Sequence, residues 1–233
     1  MSNAVAIIGH FDGSSGQVVE WFEFATGFKI SIFIIDDDNF KELNTTEENK
    51  KRVCKTTDFP QNGKFKGYPL IVSSLWLEKL KELGINKLLS LEPDNRKRQL
   101  QLQKAKKNGF ELVSAIHPSA LILDKAKIEG GVWINAGVII GYKAEIASGV
   151  IINTGARIDH HNILKECCQI DPGVQTAGNV VINERCHIHT GAIIINRVNV
   201  GHDTIIGAGS VVLKDVPERC TAVGVPAKLI KVD

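Results

Sequence analysis

Two histidines stand side by side in GARIDHHNIL, residues 155–164. An imidazole titrates near neutrality, so His160 and His161 are candidate proton acceptors. Their neighbours alternate apolar and small residues as an extended chain does, and adjacent side chains on such a chain point to opposite sides. A second place for chemistry lies near the N-terminus. There the strand-like AVAIIG runs into HFDGSSG, residues 10–16, and a second strand-like run, KISIFII, ends in Asp36, Asp37 and Asp38. Helix amides beside Ser14, Ser15 and Gly16 could receive a phosphate, and acid after a second strand is where ribose hydroxyls are usually gripped. The spacing of Gly9, Gly13 and Gly16 is GxxxGxxG rather than the dinucleotide fingerprint, so it suits a tight turn as well as a phosphate cradle.

The other chemically capable residues read as structural. Five cysteines, at 54, 167, 168, 186 and 220, are odd in number and form no CxxC pair. They read as reduced thiols of a cytoplasmic protein. His187 and His189 flank Ile188 and point outward, while His117 and His202 sit in common turn contexts, so no metal site is expected. A net charge of +2 without a basic stripe argues against nucleic acid. No apolar run approaches the ~20 residues of a membrane span, and the segment before AVAII is too short and uncharged for a signal peptide.

The second half carries a repeat that must position His160. Stepping by six from Ile116 to Val212 gives seventeen positions, sixteen of them Ile, Leu or Val; the exception is Thr176. A companion column four residues on is mostly small, with Asn162 its one amide; Cys168 and Cys186 belong to it. A period of six fits neither a helix nor a two-faced sheet. It fits a solenoid in which each hexad makes a short strand and a turn, and three hexads close a triangular coil. About five coils of 18 residues follow. Asn162, buried in its column, must find hydrogen-bond partners and could brace the turn that carries the histidines.

The first half is a different object. Strand, loop, helix QVVEWFEFAT and strand form a βαβ unit whose loop lies at the strand's carboxyl end, where open α/β sheets bind ligands. A polar stretch to about residue 66 follows, then strand YPLIVS, helix SLWLEKLKEL, strand KLLSL and a charged helix from Asn95 to about Lys107. The boundary falls near residue 110.

The hexad pattern is that of left-handed parallel β-helix acyltransferases, which the sequence resembles over residues 112–230. With the βαβ unit in front, the whole chain resembles the sugar acyltransferases that include the bacillosamine and perosamine N-acetyltransferases and the sialic-acid O-acetyltransferases. The motifs that carry the likeness are IDHHN, GVQTAGNVVI, IIGAGSVV and AVGVPAKLIK. The resemblance implies an α/β, Rossmann-like nucleotide-sugar-binding domain over 1–110 and a left-handed β-helix acyltransferase domain over 111–233. It implies acetyl-CoA as co-substrate, a nucleotide-linked amino sugar (a 4-amino-4,6-dideoxy sugar such as a UDP-bacillosamine precursor) as acceptor, and a homotrimer with sites between subunits. In that family the base lies two residues after a column isoleucine; Ile158 is in the column, so the base falls on His160. Gly178, one coil along, is implied to present its N–H to the thioester carbonyl. Gln169, Gly178, Thr190 and Ala208 are implied to line the coenzyme path, and the Gly9–Gly16 loop with Asp36 and Asp37 to hold the nucleotide.

The chain departs from the family in three places. His161 stands where most members carry the acid that orients the base; its neutral imidazole could still accept a hydrogen bond, and Asp159 or Asp171 could substitute. Gln169 stands where bacillosamine members have a histidine, and Ser14 and Ser15 align near the family's Gly-His pair. A sugar O-acetyltransferase and an inactive nucleotide-sugar-binding scaffold are the competing readings. A zinc hydratase of the γ-carbonic-anhydrase kind would need two histidines five residues apart, which the chain lacks.

Overall fold

The computed structural model describes residues 3–9, 13–37 and 62–232, with the side chains of residues 13–15, 231 and 232 left aside. Residues 10–12 of the glycine-bearing loop, Asp38, Cys54 and most of the polar stretch lie outside the described residues.

The N-terminal unit is a mixed six-stranded sheet. Its strands are β1 (Ala4–Gly9), β2 (Lys29–Ile35), β3 (Lys64–Phe65), β4 (Tyr68–Val72), β5 (Lys87–Leu91) and β6 (Glu111–Leu112), in the order β3-β4-β2-β1-β5-β6. All pairs are parallel except β3 with β4. The near-continuous apolar runs of β1 and β2 are those of strands covered on both faces. Helix α1 (Gly13–Thr26) covers one face, and α2 (Trp76–Glu82) with α3 (Asn95–Lys107) covers the other. Asp94 starts α3 by accepting the Lys97 amide at 2.8 Å. Helix α1 begins four residues earlier than QVVEWFEFAT suggested, so Gly13 to Gly16 form its first turn. A helix start needs no apolar period in its first turn, and its first amides have no intrahelical partner.

Residues 115–212 form a parallel β-helix of seventeen two-residue strands, three to a coil. Strands 18 residues apart pair in register: Trp133 lies beside Ile151, Ile139 beside Arg157, Glu145 beside Ile163. The first face runs through Trp133–Ile134, Ile151–Ile152, Gln169–Ile170 and His187–Ile188, the second through Arg157–Ile158 and Gln175–Thr176, the third through Ile163–Leu164 and Val181–Ile182. The column of large residues fills the interior, and most of it has no solvent contact. Every sixth residue from Lys125 to Gly209 has φ between 56° and 79°, so one left-handed position turns each corner. Seven of the fifteen are glycine; the others, His161 among them, bear the cost of a side chain in that region.

The two units pack together. Ala115, Trp133 and Ile151, pointing outward from the first face, join the core formed by α1 and the sheet. Arg98 of α3 is wholly buried and clamps the joint: its guanidinium donates to the carbonyls of Glu92 (2.7 Å), Gly149 (2.8 Å) and Cys167 (2.8 Å) and to Asn95 Oδ1 (2.7 Å). No described helix is long and apolar enough to cross a membrane.

Candidate active site

His160 and His161 sit in the corner between the second and third faces, not on a strand, so the alternation expected of an extended chain does not apply. His161 occupies the left-handed position (φ 56°), and this turns both rings toward each other: their Nδ1 atoms lie 3.0 Å apart, a hydrogen bond in which one nitrogen carries the proton. Tyr142, one coil below, meets the His161 ring edge to face with centroids 5.7 Å apart.

Gly178 lies one coil above His160. A Cβ there would collide with Cε1 and Nε2 of His160 and stand 2.9 Å from Nδ1, so the imidazole occupies the space the glycine leaves. The Gly178 N–H has no protein acceptor among the described residues. Gly141, below, is equally constrained, because a Cβ would strike the backbone that links Asp159 to His160.

The turn is braced by the two exceptions to the repeat. Asn162 donates from Nδ2 to Thr176 Oγ1 (2.7 Å) and to the Asp159 carbonyl (2.9 Å), and its Oδ1 accepts the Val180 amide. Thr176 Oγ1 also accepts the Asp159 amide at 3.2 Å. The amide in the small column and the hydroxyl in the large column are therefore one device, buried directly behind His160.

Neither substitute acid is hydrogen-bonded to the His160 ring. Asp159 Oδ1 accepts the His160 backbone N–H at 2.7 Å. Asp171 belongs to another corner, where Oδ2 faces His187 Nε2 (2.9 Å) and His189 Nδ1 (3.1 Å) and Oδ1 accepts from Gln169 Nε2 (3.0 Å). Although burial opposes its ionisation, hydrogen bonds from His187 and Gln169 hold the Asp171 carboxyl below its usual range. His161 alone touches the ring of His160 through a polar atom among the described residues.

The remaining expected residues fall into two further groups. Gln169 lies on the first face, while Thr190 and Ala208 stack one coil apart on the exposed corner between the first and second faces. That is a different corner from His160, so one chain does not bring the two sets together. Gly9 and Asp36 end β1 and β2 at the same edge of the sheet. The glycine at 9 has a packing reason: a Cβ would stand 2.7 Å from the Leu91 carbonyl carbon and 2.8 Å from the Glu92 nitrogen. Gly16 is buried in α1, Asp37 is exposed, and the side chains of Ser14 and Ser15 lie outside the described residues.

Sequence reasoning missed three polar groups at this edge. Ser90 Oγ donates to Gln101 Oε1 (3.2 Å), and Gln101 Nε2 donates to Asp36 Oδ2 (3.3 Å); both Ser90 and Gln101 are buried, as is Glu92. A cleft of about 400 Å³ opens between the turn after β5 and the first face, lined by Arg96, Arg185, His187 and Arg219 among others. The four cysteines among the described residues are buried. Burial pushes the Cys167 thiol up to about 11 and the Cys168 thiol well above its usual value.

No protein-family model matches the chain, and no curated protein matches it by sequence. Among solved structures it is similar to PerB from Caulobacter crescentus in complex with CoA and GDP-perosamine, at 34% identity over 98% of this chain and 97% of that one, with a TM-score of 0.82. The acetyltransferase domain of PglB from Neisseria gonorrhoeae FA1090, in complex with acetyl coenzyme A, is 28% identical over 98% of this chain and 99% of that one, with a TM-score of 0.79. WeeI from Acinetobacter baumannii AYE shares the fold at 20% identity over 97% and 99% of the two chains, with a TM-score of 0.66.

Proposed function

The chain belongs to the family of acetyl-CoA-dependent sugar N-acetyltransferases of the perosamine and bacillosamine type, and from that premise we propose that it moves the acetyl group of acetyl-CoA directly onto the amine of a nucleotide-linked 4-amino-4,6-dideoxy sugar. The observation that carries the reading is His160 leaning over Gly178, with the glycine N–H unpartnered. The neutral amine attacks the thioester carbonyl, forming a C–N bond. His160 takes the amine proton on Nε2 while its Nδ1–H donates to His161 Nδ1, which supports the imidazolium without a carboxylate's charge. The carbonyl oxygen, now negative, accepts from the Gly178 N–H, a contact of the kind typically worth about 3–4 kcal/mol. The C–S bond then breaks and the proton passes from His160 to the departing thiolate, so protons balance.

In this reading residues 1–110 are a Rossmann-like unit that holds the nucleotide through the Gly9–Gly16 turn, Asp36 and Asp37. Residues 111–233 are the left-handed β-helix, and acetyl-CoA runs past Gln169, Gly178, Thr190 and Ala208. Because His160 and Thr190 lie on different corners, the complete site joins two copies of the chain in a homotrimer. Both co-substrates place the reaction in the cytoplasm, in the supply of sugars for surface glycans.

The test is thiol release from acetyl-CoA with UDP-, dTDP- and GDP-linked 4-amino-4,6-dideoxy sugars. We expect turnover on one nucleotide, lowered ~10²–10⁴-fold by His160→Ala, and lowered less by His161→Gly, which removes only the partner of Nδ1. Coenzyme binding without thiol release on any amine would overturn the reading in favour of a hydroxyl acceptor or an inactive scaffold.

A further inference from the structure

We propose that Asp171, His187 and His189 form a binding site for one divalent transition-metal ion of the zinc class. The coil geometry makes the cluster: His189 follows Asp171 by one full coil, and His187 stands on the strand that leads to His189, next to Gln169 in the ladder. Asp171 Oδ2 lies 2.9 Å from His187 Nε2 and 3.1 Å from His189 Nδ1, and all three atoms fall within 4.8 Å of one another. Metal bonds of ~2.0–2.2 Å to nitrogen and oxygen, at octahedral to tetrahedral angles, set neighbouring ligand atoms about 2.9–3.5 Å apart. Two edges of the triangle already have that spacing, and a small ring rotation adjusts the third.

The surroundings fit the same ion. Asp171 Oδ1 is held by Gln169 Nε2 at 3.0 Å and Asn153 Nδ2 at 3.4 Å, which aims Oδ2 at the two imidazoles. Gln169 Oε1 is buried without a hydrogen-bond partner. It is an acceptor beside the cluster that a metal-bound water would satisfy. The side chains of Asp171, His187 and His189 are 14%, 27% and 38% exposed, and His187 borders the 400 Å³ cleft, so water can fill the remaining coordination positions. Each imidazole binds as its neutral form by shifting its proton to the other ring nitrogen. Two imidazoles with one carboxylate favour zinc and its neighbours over magnesium or calcium. This departs from the metal-free expectation of the sequence, whose outward His187 and His189 gave no sign of an aspartate one coil away. The transfer reaction proposed above uses no metal, but the cluster adjoins Gln169 and Thr190 of the proposed coenzyme path, so the ion is titrated in the absence of coenzyme.

The experiment is titration of the full chain with zinc chloride against a chromophoric chelator, with cobalt(II) absorption as a second readout. We expect one ion per chain, with affinity at least ~10-fold weaker in Asp171→Asn and in His189→Gln, and unchanged in His160→Ala. Melting curves of the metal-free variants verify that each is folded. Absence of uptake by the wild type, uptake unchanged in both variants, or uptake abolished by His160→Ala would overturn the proposal.

Discussion

An alanine at 178 would force the His160 ring out of the space it occupies, since its Cβ would stand 2.9 Å from Nδ1 and closer still to Cε1 and Nε2. Gly178 has no left-handed φ, so the substitution strains only the imidazole. We therefore expect Gly178→Ala to lower kcat by at least tenfold through a misplaced base, with KM for acetyl-CoA and the melting midpoint nearly unchanged. Loss of coenzyme affinity with kcat preserved would mean that the glycine serves the thioester and not the ring. In the sequence, the resemblance and the register counted from Ile158 together point to His160 as the proposed base. The partner of His160 stayed open in the sequence among His161, Asp159 and Asp171, because which neighbour reaches the ring depends on the left-handed turn at His161. That turn swings His161 inward and leaves Asp159 to cap a backbone amide.

At the scale of an element, the turn rests on the one amide of the small column and the one hydroxyl of the large column. Asn162→Val leaves Thr176 Oγ1 without its shortest contact and the Val180 amide without an acceptor, and Thr176→Ile strips Asn162 of a partner. Each single change costs about 1–3 kcal/mol. The double change restores the apolar repeat, and we expect it to cost less than the sum of the two, a coupling of ~0.5–3 kcal/mol measured by denaturant unfolding. Activity should nonetheless stay low in the double variant, because the turn behind His160 has lost its brace. Additive losses would sever the pair. The strands of the repeat, together with β1, β2, β4, β5 and α3, were readable from period and composition, whereas the two-residue strands β3 and β6 were not, and the need of Asn162 for partners followed from its place in a buried column. Arg98 was not readable. In NRKRQLQLQKAKK it is one cation among several, and only the docking of α3 on the Gly149 and Cys167 carbonyls sets it apart. The same docking has an acid-sensitive end. Arg185, hydrogen-bonded to Asp203, holds that carboxyl well below its usual range against the opposing effect of burial, and Arg96 lies 3.3 Å away. A depressed folded value means that the stabilisation is complete above the unfolded value of about 3.9 and is lost as pH falls through the folded one. Asp203→Asn should therefore flatten the loss of stability below about pH 4.

For the whole molecule, the separation of His160 from Thr190 and Ala208 onto different corners means that the proposed site needs two chains. If each site joins two chains, His160→Ala and Ala208→Trp, both inactive alone, should complement when co-expressed. Random mixing leaves about a quarter of the sites with an intact corner from each chain. No recovered activity in verified mixed assemblies would locate the whole site within one chain. The two-part architecture could be read in the sequence from where the six-residue period begins. The joint could not, since Trp133 and Ile151 look like any other outward position until α1 is laid against them.

The coil-by-coil register gives the protein a ruler. The N-terminal unit grips the prism at Trp133 and Ile151, while His160 is fixed in the coil that begins at Ile151. The height of His160 above the edge proposed to hold the nucleotide can therefore change only in whole steps of ~4.8 Å, the spacing between neighbouring strands. Inserting 18 residues between Ile151 and His160 would preserve every corner and every column. It would alter the length of the molecule that fits between nucleotide and base by one graduation.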